Sequence, residues 1–345
     1  MIKFSPKKIA IFYDWLYTWG GAERVLLDLI EIFPTAEIYT TYYNPKKTKW
    51  LPKNTKIHHL NIPHFFENKL SILSPFMPIL LEKYNFDKYD IVLSMGTIFN
   101  NCLLTKPKTK YISYTLTPNR YLKKYPIYKP VDKIFSKRPD KIISISKTIQ
   151  SRITESYNIN SDIIYPGIDT KEFKPKVKSS NKYYLVVSRL VPHKKVDQAI
   201  RACINLKKKL IIVGTGREEE KLKLLAKNYS DIEFRKNISD IELVNLYQNC
   251  KALISPQVED FGISNIECMA CGKPVIALDS GGNAETIKHL ETGYLYKNQT
   301  TACLQESILK FQKLIFTQEK CTNRAQYFSK TKFMLDWNQE INEKY

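Results

Sequence analysis

The chain has 345 residues, 43% of them hydrophobic, enough for two domains of ordinary size with a core apiece. It contains no run of 18 apolar residues, which excludes a helical membrane span, and its seven cysteines, odd in number and irregular in spacing, argue against a disulfide framework and for a reducing cytoplasm. The net charge of +20 divides into +12 over residues 1–175 (27 Lys+Arg, 15 Asp+Glu) and +8 over 176–345 (27 against 19); lysines far outnumber arginines, which suits attraction to an anionic surface better than specific reading of nucleic acid.

Residues 8–14 predict a first strand, and Asp14 cuts its apolar run too short for a signal peptide. Trp15 to Gly21 follows, then an amphipathic helix over 22–33. A strand, the Gly20-Gly21 turn and a helix make a place where backbone can approach a phosphate, although tight turns use Gly-Gly for their own sake as well. Strands over 37–42, 91–94, 110–113 and 141–144 alternate with helical segments, the pattern of a parallel, doubly wound sheet. Between the strands at 37–42 and 91–94, the stretch 64–81 is aromatic, broken by Pro75 and Pro78, and flanked by lysine. It reads either as a pair of core helices or as an apolar and basic patch for an anionic lipid surface. The run 121–129 is basic and aromatic and suits an acceptor carrying phosphate. Residues 164–169 close the first half, and the Lys-rich stretch after them has the composition of a linker.

In the second half a strand over 183–188 leads into Arg189-Leu-Val-Pro-His193-Lys194. Two cations there flank a Pro turn between strand and helix. They can neutralise a diphosphate leaving group, on which charge grows as a glycosyl bond breaks; a solvated basic loop is the plainer alternative. A strand over 210–213 runs into Gly214-Thr-Gly216 and a charged helix from 217, and residues 234–240 lead into another helix. The apolar run 252–254 is a buried strand ended by Pro256 and the acids after it. Phe261-Gly262 opens a helix with Ile263, Ile266, Met269 and Ala270 at helical spacing; Gly272-Lys273-Pro274 stops it, and 275–278 is a second buried strand. Such a unit aims the free N–H groups of a helix start at whatever sits beyond the strand, a berth for phosphate. Glu259 and Glu267, eight positions apart, would grip hydroxyls on either side of it. Spacing alone equally allows Glu259 as a helix-start acid and Glu267 as a solvated one. Cys268 and Cys271 have C-x-x-C spacing but fall inside this helix, where small buried residues are expected.

The stretch E-D-F-G-x-x-x-x-E-x-M-A-x-G-x-P-V-I-A, Glu259 to Ala277, resembles the E-x7-E motif of retaining glycosyltransferases of family 4. Other stretches are similar to the same family: Asp14 to Leu26 around Gly20-Gly21; Tyr114 to Tyr121, with Leu116 at the family's His position; Arg189 to Asp197; and Asp279 to Glu285 around Gly281-Gly282. Lys236 stands where the family usually has Gly. The resemblance implies an α/β protein of the GT-B fold, two Rossmann-like domains with parallel sheets facing a central cleft. The boundaries implied are an acceptor-binding domain over 1–170, a linker over 171–182, a nucleotide-sugar-binding domain over 183–328, and a C-terminal helix over 329–345 that crosses back. It further implies a retaining hexosyltransferase in which Arg189 and Lys194 hold the diphosphate, Glu259 contacts the donor sugar and Glu267 the ribose. Phe261, Gly262 and Ile263 would contact the donor beside Glu267, with Gly20 and Gly21 against its diphosphate and Gly214 and Gly216 lining the nucleotide side. No D-x-D pair occurs in a suitable loop, so no metal or other cofactor is expected. Within the family the likeness is to bacterial mannosyltransferases of O-antigen and exopolysaccharide. The expected donor is thus GDP-mannose, with a UDP-sugar as second choice, and the expected acceptor a glycan or polyprenyl-linked one. An anionic membrane surface is a candidate partner, at the inner face of the cell membrane; nucleic acid is not. A sugar-nucleotide epimerase and a basic nucleic-acid-binding protein are the rival classes.

Overall fold

The computed structural model describes residues 7–69, 73–118, 127, 129–177 and 180–343. The family-like positions Asn119, Arg120 and Tyr121, most of the basic run 121–129, residues 70–72 of the aromatic stretch and residues 178–179 of the expected linker lie outside them. The chain forms two compact units, one of Met1–Pro166 with Phe333–Tyr345, the other of Gly167–Lys332.

In the first unit, strands β1 (Ile9–Tyr13), β2 (Glu37–Thr40), β3 (Ile57–His59), β4 (Ile91–Gly96), β5 (Lys110–Thr115), β6 (Lys141–Ser144) and β7 (Asp162–Ile163) form one sheet. Its order is β3-β2-β1-β4-β5-β6-β7, and the pairings are parallel. β1 and β4 are buried along their whole length, as strands covered on both faces must be, which is why their sequences are near-continuous apolar runs. Helices α1 (Gly21–Ile32), α2 (Met77–Leu81), α3 (Lys129–Phe135) and α4 (Lys147–Tyr157) accompany the sheet. The aromatic stretch is not a pair of regular core helices. It makes 3₁₀ turns at His64–Lys69 and Ser74–Phe76 before α2, where Pro78 sits in the first turn. Met77 and Leu81 enter the core, whereas Phe65, Phe76 and Ile79 are exposed.

The second unit contains β8 (Tyr183–Val187), β9 (Leu210–Val213), β10 (Ile232–Arg235), β11 (Cys250–Ser255), β12 (Val275–Leu278) and β13 (Gly293–Tyr296), again parallel, in the order β10-β9-β8-β11-β12-β13. Helices α5 (Val196–Asn205), α6 (Glu219–Ala226), α7 (Asp240–Asn249), α8 (Ile263–Ala270), α9 (Gly282–Thr286), α10 (Thr301–Phe311) and α11 (Gln318–Gln326) join the strands or follow them. Hydroxyl caps start several helices: the Ser239 Oγ accepts the Glu242 N–H on α7, and Thr300 and Thr317 do the same on α10 and α11. Phe173, in the stretch expected as linker, is buried and meets Tyr247 edge to face.

The last helix, α12 (Lys330–Asn342), returns the chain to the first unit. Trp337 on it is fully buried and meets Tyr114 edge to face at 5.1 Å. Lys141 binds Glu340 at 2.6 Å, and the Lys7 ammonium donates to the Ile341 carbonyl at 2.6 Å.

Both sheets run outward in two directions from a central pair, β1 with β4 and β8 with β11. In open α/β sheets the crevice for a ligand opens beyond the carboxyl ends of such a pair, where the connections diverge. The loops after these four strands are therefore the places to look.

Candidate functional site

In the second unit, the loops after β8 and β11 meet. β8 leads into Arg189, a 3₁₀ turn at Pro192–Lys194, and Lys195 in the left-handed region at φ 51°, from which α5 starts. β11 leads into Pro256 to Phe261 and then α8. The Lys194 ammonium lies 2.7 Å from the Glu259 Oε1, with the two side chains only 14% and 15% exposed. Lys194 and Glu259, 65 positions apart in the chain, are thus one pair. Arg189 is exposed, and among the described residues its guanidinium has no partner. An exposed cation on the same loop as a largely buried ion pair, at the end of a central strand pair, is a receptive arrangement for an anion.

The turn after β9 abuts the Arg189 loop. Leu190 donates its N–H to the Thr215 carbonyl at 2.8 Å, and Glu218 donates to Leu190 at 3.0 Å. Gly214 has φ +145°, and a Cβ there would lie 1.9 Å from the Ser188 carbonyl oxygen; one at Gly216 would lie 2.3 Å from that of Leu190. Only glycines let these two loops close on each other. The charged helix begins at Glu219, two residues later than residue 217, leaving the turn free to make these contacts.

Around Glu259 the structure adds residues that the sequence did not single out. Gln257, 2% exposed, donates from Nε2 to the Glu259 Oε1 at 2.5 Å and to the Ser255 Oγ at 3.1 Å. Asn283, fully buried, donates from Nδ2 to the Gln257 carbonyl at 2.7 Å and the Leu278 carbonyl at 3.1 Å, and its Oδ1 accepts from Asn265 at 2.8 Å. The late Gly-Gly loop presses on the same backbone, with the Gly282 N–H 2.7 Å from the Glu259 carbonyl. The Glu259 carboxylate is therefore gripped from two sides and its backbone from a third. Both stand in polar stretches, Gln257 just before Glu259-Asp260 and Asn283 between Ser280 and Glu285, so nothing in the sequence sets them apart.

Gly262 caps α8, placing Ile263 at the first helical position, and Phe261 is buried against Phe328 with ring centroids 5.5 Å apart. Glu267 is not a solvated helix acid. It is 4% exposed, and its Oε2 accepts the Tyr247 hydroxyl at 2.8 Å. Burial, reinforced by the charge of Glu267, pushes the Tyr247 phenol far above its usual range, so it stays protonated and donates. Cys268 is buried on the same helix and Cys271 is buried just past its end rather than inside it, and burial raises both thiols.

Gly20 and Gly21 belong to the first unit. Gly20 precedes α1 in extended backbone that any residue adopts, and a Cβ there would come within 3.3 Å of the Glu23 Oε2. Glu23 is itself buried and accepts from Tyr13 and Thr18, each at 2.8 Å. Beyond β1, Asp14 turns its carboxyl across to the loop after β4 and accepts the N–H groups of Thr97 (2.7 Å), Ile98 (3.1 Å) and Phe99 (3.0 Å). Burial raises the Asp14 pKa, while those three bonds pull it down. Leu116, at the position where histidine was expected, is buried.

Residues 167–328 match the family model described as "Glycosyl transferases group 1", and residues 19–172 match "Glycosyltransferase Family 4". An uncharacterised glycosyltransferase of Methanocaldococcus jannaschii is 25% identical over 90% of this chain and 86% of its own length. A GDP-mannose-dependent alpha-(1-6)-phosphatidylinositol monomannoside mannosyltransferase of Mycobacterium tuberculosis is 27% identical over 49% of this chain and 51% of its own. Among solved structures, the Anabaena protein Alr3699/HepE in complex with UDP and glucose superposes with a TM-score of 0.77 at 19% identity, covering 98% of this chain and 100% of that one.

Proposed function

From the premise that this chain is a glycosyltransferase of GT-B type, we propose that it moves mannose from GDP-mannose, with the anomeric configuration retained, to a lipid-linked or oligosaccharide acceptor in cell-surface polysaccharide synthesis. The observation that carries the reading is the Lys194–Glu259 pair, seated beyond β8 and β11 with the exposed Arg189 on the same loop as Lys194. As the donor's C1–O bond breaks, its electron pair passes to the diphosphate, and Arg189 and Lys194 supply positive charge where that negative charge develops. The acceptor hydroxyl forms the new bond to C1 on the face the diphosphate leaves, and its proton goes to a diphosphate oxygen. No side chain bonds to the sugar. Glu259, steadied by Gln257, orients the sugar hydroxyls, and Glu267 takes the ribose.

GDP-mannose is favoured because the M. tuberculosis relative uses it; the UDP bound by the Anabaena protein supports a UDP-sugar as the second reading. The seven free cysteines, six of them buried and Cys303 partly exposed, suit work on the cytoplasmic side of the membrane. The test is thermal unfolding with GDP, GDP-mannose, UDP and UDP-glucose at equal concentration, since a ligand at a hundred times its Kd adds about 2.7 kcal/mol of stability. The guanine pair is expected to raise the Tm most. A larger rise with the uridine pair moves the donor to the second reading, and no rise with any of the four removes the proposal. Proton NMR of the product then reports the anomer.

A further inference from the structure

The helix α3, Lys-Pro-Val-Asp-Lys-Ile-Phe, is mounted with its polarity reversed. Its one buried residue is an acid: Asp132 is 8% exposed and its Oδ2 accepts the buried Tyr157 hydroxyl at 2.7 Å. Its aliphatic residues face out, with Val131 44% and Ile134 64% exposed, and Ile127 just before the helix 81% exposed. Lys129, Lys133 and Lys137 are exposed among them. Over residues 119–139 the chain carries seven lysines and arginines against the single acid Asp132, and that acid is turned inward. Phe135, at the end of α3, packs against the core cluster that also holds Met77 and Leu81 of α2, and the α2 region presents Phe65, Phe76 and Ile79 to the outside. The Asp132–Tyr157 bond fixes the rotation of α3, so the outward aliphatic face is a built feature of this unit.

We propose that this face docks on an anionic lipid bilayer, with Ile127, Val131 and Ile134 entering the headgroup boundary and Lys129, Lys133 and Lys137 lying against the lipid phosphates. Aliphatic side chains alternating with lysines are the composition of a segment that lies in a membrane interface. A second copy of this chain fits less well, because a two-fold contact through this face would set the same lysines against each other. Nucleic acid offers phosphates but no apolar layer for isoleucine and valine. Among the described residues no helix is long and apolar enough to cross a membrane, so the attachment is to the surface. The inference is independent of which sugar is transferred, and its test reads binding alone.

The experiment is flotation of the full chain with vesicles of phosphatidylcholine, or of phosphatidylcholine mixed with phosphatidylglycerol, at low and high salt. Two variants are compared: Ile127→Ser/Val131→Ser/Ile134→Ser and Lys129→Gln/Lys133→Gln/Lys137→Gln. Both leave Asp132 and Tyr157 in place, and unchanged circular dichroism checks that the fold is retained. The unaltered chain is expected to float with the phosphatidylglycerol vesicles alone. The lysine variant should bind them more weakly by roughly fivefold per lysine removed, with less salt dependence, and the apolar variant should lose binding at both salts. Absence of flotation with either vesicle overturns the proposal, as does full binding by both variants. A dimer in sedimentation velocity that the apolar variant abolishes, with vesicle binding unchanged, also overturns it and assigns the face to a second copy.

Discussion

Replacing Arg189 by alanine separates a structural role from a chemical one. The side chain is exposed and without a partner among the described residues, so the fold has little to lose, and a surface truncation of this kind changes stability by about 0.5 kcal/mol or less. If the guanidinium meets the leaving diphosphate, its loss removes a donor aimed at developing charge. Removing one such donor lowers kcat by roughly 10² to 10³, or about 2.7 to 4 kcal/mol. Lys194→Ala gives the contrast. Its ammonium is paired with Glu259 in a setting between a surface pair, worth about 0 to 1 kcal/mol, and a fully buried one, where breaking costs about 3 to 5 kcal/mol. That variant should lose about 2 kcal/mol of stability as well as turnover. Urea unfolding and initial rates with donor and a soluble acceptor read the two quantities on the same preparations. Wild-type kcat in Arg189→Ala refutes the reasoning, and so does a stability loss in that variant matching the loss in rate.

Further outcomes follow from the neighbouring contacts. Glu267→Ala should weaken binding of the free nucleotide by calorimetry and, by stranding the Tyr247 hydroxyl, cost about 1 to 3 kcal/mol of stability; in a Tyr247→Phe background the stability cost should shrink while the affinity loss stays. Gly281→Ala would put a Cβ 2.3 Å from the Glu259 carbonyl oxygen at φ +62°, and is expected to cost about 1 to 3 kcal/mol and lower turnover by shifting the Glu259 loop; unchanged kinetics would show that the loop does not position the acid. The Glu37 carboxyl is held down to about 2, first by the hydrogen bond from Lys88, then by that from Tyr89. Since its pKa is lower folded than unfolded, it contributes stability that is complete above the ordinary value of 4.5 and disappears as pH falls from there toward 2. Glu37→Gln should flatten Tm against pH in that window; an unaltered slope would assign it to other acids.

The strands were legible because each is a compact apolar run bounded by turn residues, and the parallel sheets followed from their alternation with helices. β3, β7 and β10 were not, being edge strands of three, two and four residues with little apolar content. The pairing of Lys194 with Glu259 has no local trace. Only resemblance put the two residues in one site, and only the fold brings their loops together. The roles of Gln257 and Asn283 depend on contacts made after the late loop folds onto the Glu259 segment, so no spacing rule announces them. At α3 the buried position is Asp132, which accepts the Tyr157 hydroxyl, while Val131 and Ile134 lie outside, an arrangement that depends on a residue 25 positions away.

Asp14 bears on how the two halves divide their work. The three N–H groups it occupies, at the far end of β1 and β4, hold the same relation to their sheet as the Lys194–Glu259 loops hold to theirs. A phosphate entering that crevice would have to evict a resident side chain whose oxygens already satisfy the backbone. The first half thus answers its own backbone donors with a carboxylate, whereas the second half holds an exposed guanidinium on the corresponding loop.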